Sequence, residues 1–259
     1  MRGKISRMFE VAPDLVALLL CAAFLAGFVD AIAGGGGLIT LPALLLAGAS
    51  PIEALATNKL QGTFGAATAT VAYARAGQVR LAGQLQMAAI SASAGAAGAL
   101  VAHLIPAEVL RWIMPAVLLA VAAFFAFKPG LTDEDTTQRL RPAAFALTVV
   151  PLIAAYDGFF GPGTGAFFML GFVTLAGFGV LKAVAHTKLL NFASNLGAMG
   201  VFVFSGAVWW GMGAAMALAQ IAGAALGARL ALRLGAGLVK PLLVTTSVLM
   251  ATKLVWALI

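Results

Sequence analysis

The sequence predicts an all-α polytopic membrane protein built from two homologous halves, and three observations predict it. Hydrophobic residues fill 62% of the 259 positions and charged residues only 10%, where a soluble domain carries about 25% charge. Mean hydropathy is +1.03, and apolar runs of about 20 residues, enough to cross a hydrocarbon layer about 30 Å thick, occupy nearly the whole chain. The chain also repeats itself. Asp30, Gly34 and Gly36 match Asp157, Gly161 and Gly163 at an offset of 127. At an offset of 129, Ala54, Lys59, Gly77, Gly98 and Arg111 then match Ala183, Lys188, Gly206, Gly227 and Lys240.

The first half covers residues 1–127, with helices expected near 14–33, 38–48, 51–74, 81–103 and 107–127. The one clearly water-loving stretch, KPGLTDEDTTQRLRP at 128–142, is a linker to the second half, residues 143–259. There the helices fall near 143–160, 165–177, 180–204, 208–234 and 238–258. Each half therefore has about four full transmembrane helices and one broken or re-entrant half-helix. The segments 38–48 and 165–177 are too short to span, and they follow the breaker runs GGGG (34–37) and GPGTG (161–165). The opening run resembles a secretory signal, but its counterpart at 142–164 argues for a retained first helix. Ser50, Pro51 and Glu53 read as a capping box with proline at the first helical position, which fixes the start of the helix carrying Lys59.

Charge placement bears on orientation. Arg75 and Arg80 lie between the third and fourth segments of the first half, whereas the matching loop at 206–210 has no charge and two tryptophans. One segment later the bias reverses, with Arg229, Arg233 and Lys240 set against Arg111 alone. Under the positive-inside rule the halves are upside down to each other, an inverted repeat. The basic tail of Arg2, Lys4 and Arg7 disagrees with that count. The net charge of +7 comes from residues scattered at segment ends. No basic stripe or stacking platform offers a nucleic-acid surface.

The chemistry lies at the breaks and on the two lysines. Glycines at 34–37, namely Gly34, Gly35, Gly36 and Gly37, and Gly161 with Gly163 in the second half, leave backbone N–H groups free of helical partners. Such backbone is tolerated at membrane depth where it is buried in protein or lines a cavity. A half-helix N-terminus there is a seat for an anion, and paired broken helices point to a transporter's site. Close helix packing is the other use of glycine, and the one expected of Gly95 and Gly98. Lys59 has Thr57, Asn58, Gln61 and Thr63 for neighbours, while Lys188 has Thr187, Asn191, Ser194 and Asn195. A polar stripe on a membrane helix faces the bundle interior or water, and a cation among uncharged donors suits an anion; snorkelling to the interface is the competing use.

Asp30 and Asp157, each four residues before a break, are candidates for charge-pairing with a lysine or for proton coupling, and the sequence leaves both open. His186, beside Thr187 and Lys188, is a further candidate. No metal or cofactor is called for. The glycines after each aspartate faintly resemble an intramembrane aspartyl protease, but they follow both acids and the acids occupy equivalent repeat positions. The same residues would also suit an anion channel or a non-transporting membrane partner.

Three stretches carry a more specific resemblance: DAIAGGGGLITLPALLLAGASPIEALATNKLQ, YDGFFGPGTGAFF and AHTKLLNFASNLG. Over residues 13–257 the chain resembles the sulfite exporter TauE/SafE family, and more narrowly its YfcA-like bacterial inner-membrane branch. The resemblance implies a multi-pass permease of two homologous halves, with no enzymatic activity, in the bacterial inner membrane. It further implies movement, usually outward, of sulfite, sulfoacetate or another small sulfur-containing or organic anion. The family's glycine break and following Asn-Lys map onto the glycines at 34–37, Asn58 and Lys59, and in the second half onto Gly161, Gly163, Lys188, Asn191 and Asn195. His-Thr replaces Thr-Asn before the second lysine, so the half-sites differ chemically. The implied partners are a small anion, the lipid bilayer and, as an open matter, further copies of the chain.

Overall fold

The structure is a computed structural model that describes residues 13–110, 112, 113, 116, 117, 120 and 134–235. The expected helices near 107–127 and 238–258, and the tail with Arg2, Lys4 and Arg7, lie wholly or mostly outside the described residues. Every described element is helical. In the first half these are α1 (Pro13–Ala33), α2 (Gly37–Leu46), α3 (Pro51–Arg75) and α4 (Leu85–Leu104), the last entered through a 3₁₀ turn at Leu81–Gln84. In the second half they are α5 (Pro142–Phe159), α6 (Thr164–Thr174), α7 (Val180–Ser205) and α8 (Trp210–Leu234).

Local chemistry sets these boundaries. The carboxylate of Glu53 accepts from the Ser50 N–H at 2.9 Å and from its hydroxyl at 2.8 Å, so the N-terminus of α3 closes as its sequence predicts. Pro151 cannot donate to the carbonyl one turn back, and α5 relieves the clash by widening into a π turn over Phe145–Val149, a feature the sequence pattern does not reveal. Among the described residues, four helices are long and apolar enough to cross a membrane: α1, the stretch Leu81–Leu104, α5 and α8. At 25 and 26 residues α3 and α7 are of spanning length, about 38 Å at 1.5 Å per residue, but carry the polar stripes. Large apolar side chains such as Leu152, Leu218 and Phe204 face outward, as lipid contact requires.

The main helix pairings cross between the halves. Helix α1 packs on α8 and α5 on α4; α3 packs on α8 and α7 on α4; α3 and α7 cross at the centre. Exchanging the two halves leaves this scheme unchanged. Small residues allow the close approach: a Cβ at Gly227 would strike the Phe28 carbonyl, and one at the equivalent Gly98 would strike that of Ala155. Gly95 and Gly98 therefore serve packing, as expected. The described end of the linker does more than span a gap. Thr136, Arg139 and Leu140 donate their N–H groups to carbonyls of Gly177 and Leu175, which lays residues 134–141 over the turn between α6 and α7.

Candidate functional site

The two breaks bring the half-helix N-termini to the middle of the bundle. Gly34 and Gly161 have φ of +82° and +101°, the left-handed region in which a side chain is strained. Space forbids a side chain as well. A Cβ on Gly34 would run into the backbone of Gly165 and Ala166, and one on Gly161 would lie 2.7 Å from Lys59 Nζ. Each break thus packs against the opposite half. Two tyrosines pin the backbone nearby, the buried Tyr73 hydroxyl donating to the Ala31 carbonyl at 2.9 Å and that of the half-buried Tyr156 to the Pro162 carbonyl at 2.7 Å.

Both lysines are buried, each 1% exposed. Each pairs with the aspartate of the other half. Lys59 Nζ donates to Asp157 Oδ1 at 2.7 Å. Lys188 Nζ donates to Asp30 Oδ2 at 3.2 Å and also to the Asp30 backbone carbonyl. The remaining donors complete two cradles. Asp157 Oδ2 accepts from Ser194 Oγ and, at 3.1 Å, from Asn195 Nδ2. Asp30 Oδ1 accepts from the N–H of Gly36, the N-cap of α2, at 3.3 Å. Among the described residues, two ammonium and two carboxylate groups meet at the centre and cancel, the condition under which buried charge is tolerated.

A small polar cavity of about 30 Å³ opens between these cradles. Its walls are the α2 and α6 N-termini (Gly35, Gly36, Gly37, Thr164, Gly165), the two aspartates with Gly161, and amides from α3, α7 and α8. Asn58 takes the Thr40 hydroxyl at 2.6 Å and Gln61 Nε2 at 3.2 Å on its Oδ1, which turns its NH₂ toward other acceptors. In the same way Asn191 Oδ1 is occupied by Asn195 Nδ2 at 3.0 Å.

Of the residues singled out in the sequence, Asp30, Gly35, Gly36, Gly37, Asn58, Asp157, Gly161, Asn191 and Asn195 line the cavity. Lys59 and Lys188 lie directly behind it, capped by the carboxylates, and Gly34 and Gly163 shape the breaks around it. Gln61 and Thr187 are buried beside the lysines, and among the described residues Gln61 Oε1 and Thr187 Oγ1 have no hydrogen-bond partner. His186 stands elsewhere. Its ring packs 5.6 Å from Phe172 and 4.9 Å from Phe178, and it is not part of the cavity wall. The aspartates are not a catalytic dyad, since a lysine engages each one. The wall also contains Gly62, Thr164, Gly165 and Gln220, which sequence reasoning did not select. A lone amide on the apolar α8 was the signal for Gln220, which is 4% exposed.

The profile of the family described as Sulfite exporter TauE/SafE matches residues 19–254. The chain belongs to this family. Curated relatives agree along the full length. "Probable membrane transporter protein ORF9" of a Sinorhizobium species is 56% identical over 247 residues, 95% of either chain. "Probable membrane transporter protein YfcA" of Escherichia coli K12 is 43% identical over 249 residues, 96% of this chain and 93% of that one. A Haemophilus influenzae "Probable membrane transporter protein" is 43% identical over 248 residues, 95% and 97% of the two chains. No solved structure matches. This TauE/SafE member is thus a membrane transporter and not an enzyme.

Proposed function

We propose that this TauE/SafE protein is a secondary transporter that exports a small anion across the bacterial inner membrane. Sulfite, an organosulfonate or a related sulfur-containing or organic anion is the substrate class, and alternating access around the central cavity is the mechanism. One observation carries the reading: two buried ammonium groups, each held by the opposite half, flank a polar cavity walled by two helix N-termini. A cation beside free N–H groups is the arrangement that binds an oxyanion with charge-assisted hydrogen bonds.

The cavity volume supports a moving site. At about 30 Å³ it has room for about two or three waters, since each needs roughly 10–15 Å³ on this measure. A three-oxygen anion requires the halves to part, and the ion pairs that join them are what must open. The reversed charge bias supports an inverted pair of halves, and packing that is unchanged when the halves are exchanged supports a two-fold relation between them, with the site on its axis. Export is the direction that a negative cell interior favours, by about 2.3 kcal/mol per charge per 100 mV.

The test is flux through the purified protein in liposomes, with sulfite, sulfoacetate, a taurine-like sulfonate, sulfate and small carboxylates offered in turn. Saturable flux of at least one anion, with competition from its chemical relatives, is expected. Flux that never saturates would make the protein a channel, and no flux of any anion would remove the reading.

A further inference from the structure

We propose that Asp30 and Asp157 are tethered stand-ins for the transported anion. Each carboxylate fills the donor set that the anion takes when it binds, so that the empty carrier returns across the membrane as a neutral unit. The inference rests on the anion-transporter reading and assigns the two acids a role in the transport cycle.

The donors around Asp157 form an anion seat. An ammonium from the opposite half (Lys59), a hydroxyl (Ser194) and an amide N–H (Asn195) converge on one carboxylate. That is a seat for an anion with oxygens arrayed about a centre, and a carboxylate of the protein occupies it. Asp30 repeats the arrangement with Lys188 from the opposite half and the Gly36 N–H at the start of α2. A free anion would seek the same helix terminus.

The carboxylates face the cavity, while the ammonium groups behind them do not reach its wall. An anion entering this cavity therefore meets like charge first. It gains the lysine, the hydroxyl and the amide only by displacing a carboxylate from them. Binding is an exchange of one anion for another, and the carboxylate swings back when the substrate leaves.

Two ammonium and two carboxylate groups cancel in the empty state. A seated anion adds its own charge, so the loaded carrier responds to membrane potential and the empty one does not. Without the aspartate, the empty carrier would have to cross with an unpaired buried ammonium, which is strongly unfavourable. A carrier that cannot return empty can still return loaded. It would shuttle substrate in both directions while losing net flux.

Labelled sulfite in liposomes separates the two modes: net efflux into sulfite-free buffer, and exchange against unlabelled sulfite outside. For Asp157→Asn the ratio of exchange to net efflux is expected to rise about tenfold or more, because a buried charge is left unpaired only in the empty state. Asp30→Asn should shift the ratio in the same direction, and Asp157→Glu, which keeps the charge, should restore it toward wild type. If Asp157→Asn does not purify as a folded protein, Asp30→Asn carries the test. A parallel fall of both modes, or no change in either, would overturn the tethered-anion role alone. A wild-type protein that moves sulfite in neither mode would remove the sulfite reading of the site, and this proposal with it.

Discussion

Removing one ammonium from the site exposes how the centre is held together. In Lys59→Met the side chain keeps its length and apolar stem but loses its charge, and Asp157 is left 2% exposed without its cation. Breaking a buried pair by deleting one partner costs about 3–5 kcal/mol. Asp157 retains Ser194 and Asn195 as donors, which places the expected loss near the lower end, about 3 kcal/mol. Adding Asp157→Asn removes the stranded charge and leaves an amide that still meets both neighbours, so the double variant should recover at least about half of the loss. Unfolding of the purified protein in mixed micelles, titrated with denaturing detergent and followed by tryptophan fluorescence, gives the three differences needed. A loss below about 1 kcal/mol for Lys59→Met, the size seen for solvated pairs, would refute a buried, paired lysine and return it to the headgroups.

Gly161→Ala should cut anion flux sharply, since its Cβ would lie 2.7 Å from Lys59 Nζ at a φ of +101°. The control Gly200→Ala, in open space within α7, should transport as wild type. Reporter fusions near residue 78 and near residue 207 should fall on opposite sides of the membrane, cytoplasmic for the first; both on one side would rule out inversion. The Asp135 clasp should be pH-sensitive at the acid end. Asp135 accepts from Lys182 at 2.6 Å and from the Gly179 N–H at 2.7 Å, and the Lys182 hydrogen bond, then the one from Gly179, holds its carboxyl below the usual carboxylate range. A depressed value means the clasp is complete above the ordinary carboxylate range and is lost as pH falls through the lowered value. Exchange of the Gly179 amide, corrected for intrinsic rate, should therefore accelerate only below that ordinary range, and Asp135→Asn should abolish the pH step.

Helix positions were legible because breakers mark them. Each of the eight described helices starts and ends within a few residues of its expected place, most often beside a Gly or Pro or at the Ser50 cap. The site was legible in its parts and not in its wiring. Asp30 and Asp157 could each be expected to meet a lysine, but which lysine depends on how α3 and α7 cross, and that is not written in local pattern. His186 shows where adjacency misleads. Two residues along a helix turn about 200°, which carries His186 away from the face of Lys188, whereas Asn191 and Asn195, three and seven residues on, return to it. Gln220 escaped notice because its helix otherwise reads as an apolar span, and the linker because side-chain bonds such as Asp135 to Gly179 join residues 44 apart.

The central claim is that an anion binds between the halves, within reach of the two buried lysines. Selenite, a three-oxygen anion with a strongly scattering centre, can be located by anomalous diffraction from crystals of the purified protein. The account predicts a selenium peak inside the central cavity, with selenite oxygens within about 4 Å of Lys59 Nζ or Lys188 Nζ and the local aspartate turned away. Selenium found only at surface cations, with both ion pairs intact and the cavity holding water, would contradict it.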